Sequence, residues 1–131
     1  MSKPTLGFIG LGLMGGAMVA RLQDKGYALS VIANLTRTYV DQAVDRGATE
    51  VTTAKALAEA SDIIMLCMDT SANVEARMYG VDGVIAGLRP GAVVIDFGTS
   101  LPGSSRALGE GVLAAGGHYL DAPLGRTPAH A

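Results

Sequence analysis

Thiol chemistry is almost absent from this chain, because its one cysteine, Cys67, excludes an internal disulfide. Cys67 sits in the apolar run Ile63-Ile64-Met65-Leu66-Cys67-Met68, where a buried, reduced thiol is expected. Long apolar stretches are also lacking. Gly, Asp or Ser interrupts each run well short of the roughly 20 residues that a membrane helix needs, so no membrane partner is expected. The opening Met1-Ser2-Lys3-Pro4 leads straight into a strand-like segment without the charged-then-apolar layout of a secretory signal. A cytoplasmic location is the corresponding expectation. Basic residues are few: ten Lys and Arg against twelve acids leave a net charge of −2. They are dispersed, which removes the broad positive footprint of a nucleic-acid binder and favours a small, anionic metabolite as partner. His118 and His130 stand far apart with no clustered ligand, so no metal site is read.

Glycine, by contrast, is abundant. Eighteen of the 131 residues are Gly, yet they follow no collagen-like period and separate apolar runs as punctuation. With 49% hydrophobic and 17% charged residues, residues 1–131 read as one α/β domain. Runs rich in Val, Ile and Leu near 5–10, 28–33, 49–51, 62–68, 92–97 and 118–122 alternate with helix-like segments, the order of a parallel sheet. The run 62–68 is continuously apolar, as a central strand covered on both faces should be. Between the strands, Met14, Met18 and Leu22 recur at helical spacing, as do Val40 with Val44 and Leu108 with Val112, and each set is expected to face the sheet. Ser100 and Pro102 suit a helix entrance, which predicts a last helix over Leu101–Ala115. Gly26, Gly47 and the Gly116-Gly117 pair each follow a helical segment. No repeat, low-complexity tract or linker interrupts the pattern. Only nine residues without apolar periodicity follow the last strand, which reads as a fragment of a longer protein.

The most specific signal is Gly10-Leu11-Gly12-Leu13-Met14-Gly15, a Gly-x-Gly-x-x-Gly that follows a strand and opens an amphipathic helix. Gly10 permits a tight turn, Gly12 lets a pyrophosphate approach the backbone, and Gly15 lets the helix pack closely on the strand. The amides and positive dipole end of that helix then hold phosphates. A dinucleotide site is therefore read at these six residues. The ribose is usually recognised by an acid about 20 residues further on when the cofactor is NAD. The stretch Ser30-Val31-Ile32-Ala33-Asn34-Leu35-Thr36-Arg37 contains no carboxylate, whereas Asn34, Thr36 and Arg37 can donate to a 2′-phosphate. NADP is the reading, with NAD the alternative. Met68-Asp69, after the presumed fourth strand, occupies a position that can line the cofactor crevice.

Phe8-Ile9-Gly10-Leu11-Gly12-Leu13-Met14-Gly15, Asp96-Phe97-Gly98-Thr99-Ser100-Leu101-Pro102 and Asp121-Ala122-Pro123-Leu124 together resemble, in order and spacing, the β-hydroxyacid dehydrogenase family. That family includes 3-hydroxyisobutyrate dehydrogenase, tartronate semialdehyde reductase and, more distantly, 6-phosphogluconate dehydrogenase. The resemblance implies a Rossmann-type, doubly wound parallel sheet, normally joined to a helical second domain that completes the active site and a dimer. That second domain is not in this chain.

Two departures from the family pattern bear on substrate. Where members usually read Asp-x-Ser-Thr, Gly98 replaces the serine and Thr99 is kept, as a contact to substrate or nicotinamide. Where members usually carry Val-Ser-Gly-Gly, this chain has Leu124-Gly125-Arg126-Thr127, similar to the loop of sulfolactaldehyde reductases. The guanidinium of Arg126, with Thr127 and the Gly125 backbone, suits a carboxylate or a three-oxygen sulfonate. The family's proton-transfer lysine lies in a Gly-rich segment followed by Lys and Asn, and none of Lys3, Lys25 and Lys55 has that context. The resemblance thus implies an NAD(P)-dependent interconversion of a small 3-hydroxy acid and its semialdehyde by a longer, oligomeric protein, with this chain alone inactive. The alternative is a non-catalytic dinucleotide-binding module.

Overall fold

The computed structural model describes residues 3–33, 37–68, 71–98 and 102–122. Six strands appear where the apolar runs predict them: β1 (Leu6–Ile9), β2 (Leu29–Ile32), β3 (Thr49–Val51), β4 (Ile63–Leu66), β5 (Val93–Asp96) and β6 (His118–Asp121). All pair in parallel, in the order β3-β2-β1-β4-β5-β6. The order reverses between β1 and β4. In sheets of this kind the crevice beyond the strand ends at that switch point is where ligands bind. The central placement of β4 accounts for its continuous apolar run, since Ile64, Met65 and Leu66 are all buried.

Side chains alternate across the sheet and so divide the core in two. Leu6 and Phe8 of β1, Leu29 and Val31 of β2 and Met65 of β4 join Val19 of α1 (Leu13–Asp24) with Val40 and Ala43 of α2 (Thr38–Asp45). Ile9, Ile32, Ile64, Leu66 and Val94 join the opposite cluster. That cluster includes Leu57 of α3 (Ala54–Glu59), Val74 and Met78 of α4 (Ser71–Met78), Val84 of α5 (Val84–Gly87), and Leu108 and Val112 of α6 (Pro102–Ala114). The result is a three-layer α/β/α domain of Rossmann type. Among the described residues, no helix is long and apolar enough to cross a membrane.

Helix α6 begins at Pro102, one residue inside the predicted start, and Gly26, Gly47 and Gly116 follow α1, α2 and α6 with φ of 87°, 107° and 92°. Two helical expectations and one about the apolar run of β4 need correction. Met14 is 53% exposed, because it lies in the first turn of α1, beyond the strand ends, and Val19 takes the sheet-facing place with Met18 and Leu22 packed beside it. Val44 is exposed at the flank of the short α2, where Val40 and Ala43 already fill the contact with the sheet. Cys67 is half-buried and not fully buried, since β4 ends at Leu66 and its neighbour emerges from under the helices.

A glycine-lined crevice at the strand ends

The turn from β1 into α1 is built by three glycines with three different constraints. Gly10 has φ of 101°, and a Cβ there would lie 2.2 Å from the Cys67 carbonyl oxygen. Only glycine meets both conditions. At Gly15, a Cβ would lie 2.1 Å from the Gly10 oxygen and 3.0 Å from the Phe8 ring, so α1 can sit this close to β1 only without one. At Gly12 nothing stands within 4 Å of the Cβ position. No packing requires a glycine there, and the space is open to solvent.

The helix that starts at this opening is uncapped. Gly12 is the N-cap residue of α1, no side chain caps the helix, and no acid occupies its first turn. The amide of Gly12 donates to the Gly10 oxygen at 3.0 Å, while the first-turn amides of Leu13, Met14 and Gly15 have no acceptor one turn back within the helix. These amides and the helix dipole present positive potential at an open face. A pyrophosphate fits this arrangement on both counts, charge and room. The side chain of Leu11 is committed to the core at 4% exposure, and Leu13 and Met14 project outward at 74% and 53%.

Near the end of β2 the structure adds partners that the sequence of this stretch does not reveal. No carboxylate lies in residues 30–37, but two reach Arg37: Asp41, one turn further along α2, and Glu50, from β3. Arg37, the N-cap residue of α2, donates from Nη1 to Glu50 Oε2 at 2.9 Å and from Nη2 to Glu50 Oε1 at 2.8 Å. Nη2 also lies 3.2 Å from Asp41 Oδ1. The fork on Glu50 raises the already high guanidinium pKa further and holds the Glu50 carboxyl below its usual range. Glu50 belongs to β3, and strand pairing brings it into place: Val31↔Glu50 and Ile32↔Val51 are in register. Arg77 of α4 also reaches this end of β2, donating from Nη2 to the Ala33 carbonyl at 3.3 Å. Asn34 and Thr36 lie outside the described residues.

On the other side of the switch point, Asp96 ends β5 fully buried. Its Oδ1 accepts the Gly98 amide at 2.9 Å and its Oδ2 accepts the Tyr119 hydroxyl at 3.2 Å. This ties the loop after β5 to β6. Gly98 lies against the loop after β4, and a Cβ on it would stand 2.5 Å from the Met68 oxygen. The side chain of Met68 is buried in the core at 7% exposure. Asp69, Thr99, Gly125, Arg126 and Thr127 lie outside the described residues. His118 is exposed, and no group of three or more potential metal ligands occurs among the described residues.

Sequence reasoning missed Glu50, Arg77 and the buried position of Asp96. Glu50 and Arg77 come from elements remote in sequence from the stretches they join. For Asp96 a signal existed, since an acid at the end of a buried strand needs hydrogen-bond donors.

Comparison with known proteins agrees with this geometry. A family model described as the NAD binding domain of 6-phosphogluconate dehydrogenase matches residues 5–131. A probable mitochondrial 3-hydroxyisobutyrate dehydrogenase-like protein of Arabidopsis thaliana is 37% identical over 107 residues, which cover 82% of this chain and 36% of the relative. The 2-hydroxy-3-oxopropionate reductase of Escherichia coli is 34% identical over 119 residues, covering 91% of this chain and 40% of the relative. The chain therefore spans about two fifths of the length of these relatives. Among solved structures, an imine reductase variant from Myxococcus stipitatus in complex with NAD+ superposes with a TM-score of 0.85 at 25% identity, covering 98% of this chain and 43% of that one. With its glycine turn, its switch point and nearly its whole length matched, the chain belongs to the family of the NAD-binding domain of 6-phosphogluconate dehydrogenase.

Proposed function

We propose that this chain is the nucleotide-holding part of an NAD(P)-dependent oxidoreductase that interconverts a small 3-hydroxy acid and its semialdehyde. The observation that carries the reading is the open space at Gly12 beside the uncapped start of α1. Gly10 and Gly15 are needed by the fold, whereas Gly12 is surplus to packing, so its lack of a side chain serves a ligand. A nicotinamide dinucleotide bound here supplies or accepts the hydride. The chain's own residues do the holding: the amides of Leu13, Met14 and Gly15 receive the diphosphate, and the end of β2 with Arg37 receives the adenosine ribose. Relatives named for 3-hydroxyisobutyrate and 2-hydroxy-3-oxopropionate support the substrate class.

The finer proposal is a substrate with a three-oxygen anion, with sulfolactaldehyde as the sharpest case. It rests on Arg126 and Thr127 in the loop that resembles that of sulfolactaldehyde reductases, and on Thr99 retained beside Gly98. A carbonyl reduction also needs a proton for the substrate oxygen. Lys3 precedes β1 and Lys25 ends α1, both at the end of the sheet away from the glycine turn, and Lys55 lacks the family context. The proposed reading is that the proton donor lies outside this chain, so that the 131 residues bind nucleotide without turning it over. Calorimetric titration with NADH and NADPH, run beside a turnover assay, tests this: binding without turnover is expected, and turnover by the chain alone contradicts the assignment of the lysine. In an intact homologue, Arg126→Ala is expected to raise KM for sulfonates far more than for uncharged aldehydes, and an unchanged KM defeats the anion-site proposal.

A further inference from the structure

We propose that Glu50 sets the dinucleotide preference of this chain, by occupying the Arg37 fork that a 2′-phosphate would need. The inference rests on the nucleotide reading above and adds to it a residue from a different strand. The two oxygens of Glu50 take Nη1 and Nη2 of Arg37 at 2.9 and 2.8 Å, the paired geometry with which guanidinium also binds phosphate. Asp41 takes a further donation from Nη2 at 3.2 Å. One cation therefore faces two carboxylates, and the cluster as a whole repels a phosphate dianion. A 2′-phosphate reaching this fork must displace Glu50 or lie beside it, like charge against like charge.

A ribose carrying two free hydroxyls meets no such conflict, because hydroxyls can donate to a carboxylate. The cluster is open to a ligand: the side chains of Arg37, Asp41 and Glu50 are 55%, 61% and 32% exposed. Its position follows from the fold. Arg37 opens α2 just after β2, and the β2–β3 register sets Glu50 opposite Val31. The arginine that favours NADP in the sequence is thus opposed by an acid from the neighbouring strand, and NADPH gains little over NADH.

The test is calorimetric, using the 131-residue chain with NADH and NADPH as titrants at one fixed ionic strength. Glu50→Gln is expected to tighten NADPH binding about fivefold or more, the scale of one screened ion pair, and to leave NADH within about twofold. Adding Arg37→Ala to Glu50→Gln is expected to abolish that gain. Asp24→Asn, which removes an acid paired with Arg46 at the far end of α1, serves as the charge control and is expected to change neither affinity. If both nucleotides bind but Glu50→Gln leaves their ratio unmoved, or Asp24→Asn gives the same gain, the role of Glu50 is overturned while the nucleotide site stands. If neither nucleotide binds the wild type or any variant, the nucleotide reading itself falls, and this inference with it.

Discussion

Asp96 turns its carboxylate back onto the amide of Gly98, 2.9 Å away, while the Tyr119 hydroxyl donates to its other oxygen at 3.2 Å. A buried acid at the end of β5 thereby fixes how the chain leaves the sheet on its way to Thr99, and β6 holds that acid in place. Removing the acid takes an acceptor from two half-buried donors. Asp96→Ala is expected to cost about 2 to 4 kcal/mol in urea unfolding, and Tyr119→Phe about 1 kcal/mol. Asp96→Asn, which keeps an acceptor oxygen, should fall between wild type and Asp96→Ala. Equal stability for all three variants would show that the contact carries no weight.

Gly98 stands where the resembled family has serine, and the structure gives a reason for the departure. A Cβ at this position would meet the Met68 oxygen at 2.5 Å and the Met68 nitrogen at 3.2 Å. Restoring the family residue by Gly98→Ser is therefore expected to destabilise the chain by about 1 to 3 kcal/mol, as forced contacts in well-packed regions do. Thermal unfolding reads this directly. A variant as stable as wild type would mean that the loops after β4 and β5 are free to separate.

At the opposite end of the strands, Asp62 accepts the Thr5 amide at 3.0 Å and the Thr5 hydroxyl at 3.2 Å, with Arg89 Nη1 at 3.1 Å. The Thr5 amide is the main cause that holds this carboxyl below its usual range, followed among the lowering causes by the Thr5 hydroxyl and Arg89, against an opposing effect of burial. Because the folded value is depressed, the charged form favours the fold. The contribution is complete above the ordinary carboxylate value of about 4 and is lost as pH falls through the lower, folded value. Wild type should therefore lose more stability than Asp62→Asn when urea unfolding is repeated at pH 5 and at successively lower pH. Parallel losses in the two proteins would contradict the role given to this carboxylate.

Much of the fold was legible because parallel strands covered on both faces must be apolar throughout. The run at 62–68 gave β4 its central place, and the glycines after α1, α2 and α6 marked where those helices stop. Helical faces were less legible at their ends. Met14 and Val44 keep the right spacing for a buried stripe, but a first-turn or flanking position lies beyond the reach of the sheet. The site was legible where one continuous segment builds it, as at Gly10, Gly12 and Gly15. It was not legible where separate strands meet. No reading of residues 30–37 alone shows that Glu50 faces Arg37, since strand register, not sequence distance, joins them.

The central claim is that Gly12 serves a ligand while Gly10 and Gly15 serve the fold. Substituting alanine at each position separates the two roles, with thermal unfolding and NADH titration measured on the same samples. Gly10→Ala and Gly15→Ala are expected to lose stability, by about 1 to 3 kcal/mol each, from a left-handed backbone at Gly10 and a blocked helix contact at Gly15. Gly12→Ala is the decisive measurement: unfolding should stay within about 0.5 kcal/mol of wild type, as for an open surface site, while NADH binding weakens about tenfold or more. A Gly12→Ala chain that keeps its stability and binds NADH as tightly as wild type would contradict the account.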